Sequence, residues 1–320
     1  MASVATSTAA PGFRGRARRW ASGFRERETW AAYAFLAPWL IGFVIFTAVP
    51  MGWSAWLSLT DYSVIQETRY VGLDNYRFML DDPAVRTALT NNLTFAMFSV
   101  PGVLIVALGL AMILNRVKWG GGFFRTVFYL PNITPPVAVA ILYLLLFNGS
   151  VGIVNSGLEL LHIPGPFWTT DPSWIKPGLA LMNVWSVGGT MVIFLAALKS
   201  VPPHLYEAAA IDGASSWRRF KDITLPMISP AIFFNLIIQT IYAFTLFTEA
   251  YTAFFGAGTK SNQTEAALFY GIYIFQEAFV NFRMGYASAL AWLLFVIVMT
   301  ITIVQVKVGN RFVFYEGDKR

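Results

Sequence analysis

Apolar residues along this chain neither alternate nor recur at the 3.6-residue spacing of a helix with one wet face; they come in long runs. Such runs read as helices surrounded by lipid or by other membrane helices. A helix needs about 20 apolar residues to cross the hydrocarbon core. Six stretches meet or approach that length: Tyr33 to Leu59, Leu93 to Leu114, Phe123 to Phe147, Gly178 to Leu198, Ala231 to Glu249 and Tyr286 to Val306. Trp30 and Trp56 stand near the ends of the first, where indole rings anchor a span at the interface. The third contains Pro131, Asn132, Pro135 and Pro136. Prolines remove backbone donors, so a kink or unwound turn is predicted there. Ala266 to Phe279 is apolar but short for a span, and reads as a re-entrant or surface helix.

Basic residues between the runs set the orientation. With the N-terminus inside, the inner segments hold 17 of the 23 Lys and Arg residues and the outer segments 6. No inner segment is poorer than its outer neighbours, as the positive-inside bias requires, and five or seven spans would break the agreement. The expectation is an all-α polytopic membrane protein of about six spans with both termini cytoplasmic. Residues 30–309 would form the membrane domain, with an inner loop at 200–230. Residues 310–320 would be a short cytoplasmic tail. Residues 1–29, carrying Arg14, Arg16, Arg18, Arg19, Arg25 and Arg27, would form a disordered or interfacial basic tail. The apolar stretch after them is too long for a signal-peptide core.

Composition agrees and narrows the chemistry. Charged residues make up 12% of the chain, against roughly 25% in soluble domains. The net charge of +6 needs no nucleic-acid partner, because basic inner loops account for it. With no cysteine there is no disulfide, iron–sulfur cluster or cysteine zinc site, and no metal motif surrounds His162 or His204.

The inner loop between the fourth and fifth spans is the most informative segment. It runs from Pro202-Pro203-His204 to Leu225-Pro226 and closes at Pro230. Pro203 suits a first helical turn, Glu207 to Ala210 are good helix formers, and Gly213 suits a C-terminal cap with positive φ. Ser215 or Ser216 can cap a second helix that Pro226 would end. In that helix Trp217, Phe220 and Thr224 share a face, while Arg218, Lys221 and Asp222 point elsewhere. Charge and periodicity leave two readings open: insertion into a groove on another protein, or an amphipathic loop lying on the bilayer.

The run Glu207-Ala208-Ala209-x-x-x-Gly213, extended by Asp212, Ala214, Phe220, Ile223, Leu225-Pro226 and Pro230, resembles the EAA loop of ABC-transporter import permeases. It is most similar to the binding-protein-dependent sugar importers, which include maltose and glycerol-3-phosphate permeases. Val71-Gly72-Leu73-Asp74-Asn75-Tyr76 after Leu57-Ser58-Leu59-Thr60 resembles the same branch, as do Arg125 to Pro131, Phe147-Asn148 with Gly152 and Asn155, and Gly285-Tyr286-Ala287-Ser288-Ala289. Phe255-Gly256-Ala257-Gly258-Thr259 departs from it, where the family usually has a Gly-Gly-Pro turn before a threonine.

The resemblance implies the type I ABC-importer permease fold in the cell inner membrane. Its loop would be an ATPase-coupling element built on Glu207, Ala208, Ala209, Asp212, Gly213, Ala214, Arg218, Phe220, Leu225 and Pro226. It implies no catalysis and no cofactor in this chain, ATP and Mg being bound by two copies of a cytoplasmic ABC ATPase. A second homologous permease subunit and an extracytoplasmic sugar-binding protein would complete the assembly. No Gly-x-x-x-x-Gly-Lys-Ser/Thr sequence occurs; Gly258-Thr259-Lys260-Ser261 lacks the spacing.

Polar side chains inside spans must face a cavity or another helix. Asn183, Ser186, Thr190, Asn235, Gln239, Thr240, Tyr242 and Glu249 are therefore pathway candidates or interhelical bonding groups. Trp185, Tyr286 and Trp292 could stack on sugar faces. With no central Arg or Lys in spans four to six, a neutral di- or oligosaccharide is expected over glycerol 3-phosphate. A secondary transporter would need paired intramembrane ionisable groups, and only Glu249 comes close. A membrane enzyme would need a convergent catalytic constellation, which the chain lacks.

Overall fold

Each long apolar run folds as helix; the second and sixth are continuous and the others are interrupted. The computed structural model describes residues 27–63, 67–117, 119–256 and 265–309. Most of the basic N-terminal tail, the 310–320 tail and Ala257-Gly258-Thr259 lie outside them. The chain divides into two units, Met1–Leu57 and Ser58–Arg320.

In the first unit the helix Arg27–Phe43 passes through a π-helical turn, Val44–Ala48, into a further helix, Val49–Leu57. Pro50 lacks the N–H that would reach the carbonyl of Phe46. The ladder slips one residue just before it, and the Val49 N–H bonds to the carbonyl of Val44. No residue from Val44 to Leu57 is buried.

The second unit is organised around the helix Pro83–Arg116, which begins ten residues before the predicted second span. Asp82 caps it by accepting the Ala84 N–H, with Pro83 in the first turn and Arg116 in the last. Ala88, Asn92, Phe95, Ser99, Val103, Ala107, Ala111 and Leu114 recur every three or four residues and are all buried. Small side chains on that face let the Pro172–Trp185, Gly188–Ser200 and Ser229–Thr245 helices pack closely against it.

The predicted break in the third span is present. Gly121–Tyr129 runs into a 3₁₀ turn, Leu130–Ile133, and then Pro136–Leu146, with 97° between the two arms. The fourth apolar run, expected to be one unbroken helix, is instead two, Pro172–Trp185 and Gly188–Ser200, bent by 51°. The reason is local. A Cβ on Gly188 would lie 2.5 Å from the carbonyl oxygen of Phe128 and 2.7 Å from the Cα of Tyr129. The third span's backbone is pressed against that point, and a continuous helix would occupy its place.

The fifth span, Ser229–Thr245, ends at Leu246-Phe247 before a short helix, Thr248–Tyr251, and a π turn, Thr252–Gly256. The sixth is Met284–Gly309. Among the described residues, four helices are long and apolar enough to span a membrane, and up to six if each bent pair is one span. The short apolar stretch forms Tyr270–Phe275 and a π turn, Gln276–Val280. Tyr270, Ile272, Tyr273, Glu277 and Ala278 are buried there, so it is an internal element and not a surface helix.

Side chains fix these breaks. Asn92 Nδ2 donates to the carbonyls of Ala243 and Phe244, at 2.8 and 3.1 Å, where the fifth span stops. Its Oδ1 accepts the Tyr270 N–H at 2.8 Å, where the short helix starts. One buried amide satisfies three backbone groups that no helix ladder could reach. Asn75 does the same in the loop after the first span, donating to the carbonyls of Ser58 and Thr60, each at 2.9 Å. Thr60 and Asp61 pair antiparallel with Tyr70 and Arg69 in that loop. In the loop after the third span, Asn155 donates to the carbonyls of Gly149 and Pro166 and accepts Trp168 Nε1 at 2.7 Å.

Candidate functional site

Two places combine exposed or unsatisfied chemistry with a rigid support: the 200–230 loop and a polar cavity among the broken spans. In the loop, Pro203 opens the helix Pro203–Ile211 from an extended Pro202. Gly213, at φ +71°, ends it. The Ala214 N–H bonds to the carbonyl of Ala209 at 2.8 Å and the Gly213 N–H to that of Ala210 at 3.1 Å. That pair of bonds is a Schellman cap, which requires a left-handed residue where Gly213 stands. Ser215 starts the second helix by accepting the Arg218 N–H at 3.3 Å.

Pro226 does not end that helix, as the sequence led us to expect. Ser216–Arg219 continues through a π turn, Phe220–Thr224, into Leu225–Met227, and the chain turns only at Ile228. The device repeats the one before Pro50: the Leu225 N–H reaches back to the carbonyl of Phe220, accommodating the missing proline donor.

The loop is anchored at its root and bare at its tip. Leu198, Val201 and Ile228 are buried in one apolar cluster with Ala111 and Leu114 of the second span. The hydroxyls of Tyr206 and buried Thr224 lie 2.9 Å apart and tie the two loop helices together. Glu207, Ala208, Asp212, Gly213 and Arg218 are exposed, Ala209, Ala214, Phe220 and Pro226 half-buried. Leu225 is 37% exposed. Ile211 is 88% exposed and Trp217 71%. Trp217 packs against Phe220, with ring centroids 5.5 Å apart. The predicted apolar face thus slopes from bare Trp217 to buried Thr224. Ile211 was missed by the sequence reading because it falls on a variable position of the motif. Arg218 meets Asp222 at 3.6 Å across solvent, a pair worth little by itself.

The cavity, about 240 Å³, lies where the third, fourth and fifth spans are interrupted. Pro131, Asn132, Thr134, Pro136 and Val139 come from the third, Met182, Asn183 and Ser186 from the fourth, and Ile238, Gln239, Tyr242 and Glu249 from the fifth and its continuation. Irregular backbone at membrane depth is tolerated where it lines such a space. Tyr242 donates to Glu249 Oε1 at 3.0 Å, Gln239 Nε2 to Thr190 Oγ1 at 3.2 Å, and Asn183 Nδ2 to Ser99 Oγ at 2.6 Å. Glu249 is the one charged residue of the lining. Asn132, which the sequence marked only as part of a break, and Thr134, which it did not mark, prove to be wall.

Of the eleven candidates read from the sequence, Asn183, Ser186, Gln239, Tyr242 and Glu249 come together in the cavity lining, and Thr190, Asn235, Thr240, Trp185, Tyr286 and Trp292 do not line it. Trp185 is 46% exposed and points away from the cavity that its neighbours Asn183 and Ser186 line, since successive helical residues turn by about 100°. Trp292 packs edge-on against Phe295 of its own helix, and the sixth span contributes nothing to the lining. Asn235 and Thr240 bond to backbone carbonyls of the fifth span itself.

Tyr286 serves another cluster. Its hydroxyl donates to Asp82 Oδ2 at 2.6 Å, and Tyr273 donates to the same oxygen. The Arg283 guanidinium lies 4.7 Å from the Tyr286 ring and 4.8 Å from that of Phe78, and pairs with Glu277 at 3.1 Å. Burial pushes the Asp82 carboxyl up, but the Tyr273, Tyr286 and Ala84 donors, with the charge of Arg283, outweigh it and hold the group below the usual carboxylate range.

Residues 84–313 match the family model described as binding-protein-dependent transport system inner membrane component. The chain is 42% identical over 297 residues to the probable ABC transporter permease protein YesP of Bacillus subtilis, covering 92% of this chain and 95% of that one. It is 34% identical to the lactose transport system permease protein LacF of Rhizobium radiobacter, covering 85% and 92%. Among solved structures, a chain of the bacterial alginate ABC transporter, crystallised with its alginate pentasaccharide-bound periplasmic protein, superposes with a TM-score of 0.77 at 26% identity, covering 89% and 96%. Loop, broken spans and sequence agree: the chain is a multi-pass inner-membrane permease of the binding-protein-dependent transport family.

Proposed function

We propose that this chain is one permease subunit of an ATP-driven importer of neutral di- or oligosaccharides. It would pair with a second, homologous permease subunit, two copies of a cytoplasmic ATPase and an extracytoplasmic sugar-binding protein. The observation that carries the reading is the 200–230 loop, buried at its root and bare at its tip, where Ile211 and Trp217 are largely exposed. Such a surface favours insertion into a groove on a partner over free exposure to water. Small Ala208 and Ala209 permit close approach, Gly213 sets the bend, and Glu207 with Arg218 supplies charges for pairing across the contact. ATP and Mg belong to the partner. Closure of the two ATPases would carry the docked loops as rigid bodies. Through Leu198 and Ile228 the motion would pass to the fourth and fifth spans, whose breaks border the cavity.

Substrate class follows from the cavity. Asn132, Asn183, Gln239 and Tyr242 offer amide and hydroxyl groups suited to sugar hydroxyls. Glu249, with no Arg or Lys in the lining, disfavours phosphorylated and uronic-acid sugars. The lactose permease relative fits this class. The alginate importer takes an acidic polysaccharide, and the reading requires a different charge at its corresponding wall. Proteoliposomes holding the full complex should take up members of a neutral oligosaccharide panel in an ATP-dependent manner and exclude uronic-acid analogues. Faster uptake of the uronates would overturn the substrate class, and ATP-independent uptake would overturn the importer.

A further inference from the structure

A second cavity, of about 210 Å³, lies under the root of the loop, lined by Met112, Arg116, Tyr206, Ser216, Arg219, Phe220 and Thr224. Its lining holds two guanidinium groups, and neither has a carboxylate partner among the described residues. Arg219 Nε is buried with no acceptor, and its Nη2 reaches only Ser216 Oγ, at 3.4 Å. Asp222, the nearest acid in sequence, is engaged with Arg218. A buried guanidinium N–H with no acceptor is costly, and the same side chain lines the cavity. Arg219 and the exposed Arg116 guanidinium, with hydroxyls from Ser216, Tyr206 and Thr224, line one space and fit a tetrahedral oxyanion, which arginine binds through paired N–H groups.

The position says where that anion comes from. Arg116 is the first charged residue after the uncharged run that begins at Thr87, so it marks the edge of the hydrocarbon core. Ile113 one turn before it is exposed, as are Trp119 and Phe123 just beyond, the usual company of lipid at an interface. The coupling surface, by contrast, is the loop's far tip.

We propose that this cavity holds the phosphate of an anionic membrane phospholipid, clamped between Arg116 on the second span and Arg219 on the coupling loop. The lipid would tie the loop's root to the membrane surface independently of which solute is carried. The test uses the full complex in nanodiscs of phosphatidylcholine with phosphatidylglycerol, followed by delipidation and native mass spectrometry. Wild type should retain phosphatidylglycerol. Arg116→Gln and Arg219→Gln should each weaken retention roughly fivefold, Arg219→Lys should restore part of it, and Lys199→Gln, which removes an exposed charge elsewhere, should leave it unchanged. Should Arg219→Gln disturb the loop, Arg116→Gln on the long second span still decides the matter. Equal retention by wild type and Arg116→Gln, or equal loss with Lys199→Gln, would overturn the site. Displacement of the lipid by millimolar inorganic phosphate, with equal ATPase activity, would overturn the lipid as its occupant.

Discussion

Gly213 separates the chain's own requirements from those of a partner. Nothing lies within 4 Å of where its Cβ would stand, so a substitution here meets only the strain of φ +71°. That strain is about 1 kcal/mol for alanine. Gly213→Ala should therefore lower the melting temperature by a few degrees at most, yet reduce co-purified ATPase severalfold if the loop sits in a tight cleft. Loss of ATPase in proportion to loss of folded protein would assign the glycine a folding role alone. In the cavity, Tyr242→Phe and Gln239→Ala remove single neutral hydrogen-bonding groups, each worth about 1 kcal/mol. Each should raise the apparent KM for uptake severalfold while assembly, read by size-exclusion chromatography, stays intact. Unchanged kinetics in both would remove the cavity from the pathway.

At the scale of elements, the breaks depend on buried side chains outside the helix ladders. Asn92→Leu strips three backbone groups of their partner, at a cost of about 1–3 kcal/mol for each group left unsatisfied. We expect a large fall in thermal stability, checked by fluorescence-detected melting, with the short Tyr270–Phe275 helix becoming protease-sensitive. Asp82 joins the second span to the sixth and to the short helix through Tyr286 and Tyr273. Its carboxyl is held below the ordinary range. The stability it contributes is full above the unfolded value near 3.9 and is lost as pH falls through the lowered folded value. The melting temperature should drop below about pH 4, and Asp82→Asn should flatten that limb while lowering the plateau at neutral pH.

The same elements show what the sequence made legible. Runs of apolar residues located the spans, and Pro131, Pro135 and Pro136 announced the third span's break, because each acts on its own backbone. The break at Ser186 has a local signal, Gly188-Gly189, that the sequence reading passed over, while the stop at Leu246 has none. They follow from Phe128 pressing on Gly188 and from Asn92 reaching across from another span, both long-range contacts. Tyr286 was misplaced for a related reason. Its polar tip had two sensible uses, and only the fold could bring Asp82 to it. The structure of the 200–230 loop was legible almost whole because it is local: cap, glycine and serine lie within a few residues of each other.

For the whole molecule, the account rests on division of labour. This chain contributes a cavity bordered by broken spans and a loop with an uncovered apolar tip, and it carries no nucleotide motif. On the function proposed above, its energy arrives through a contact with a partner ATPase, and the loop makes that contact. The most direct measurement is mild-detergent purification of the tagged chain from its native membrane, with mass spectrometry and an ATPase assay of the bound fraction. The account predicts recovery of an ABC ATPase and a second permease, with the ATPase lost on Gly213→Asp or on removal of residues 207–213 while the second permease remains. Recovery of the chain alone, with transport unaffected by removing those residues, would contradict it.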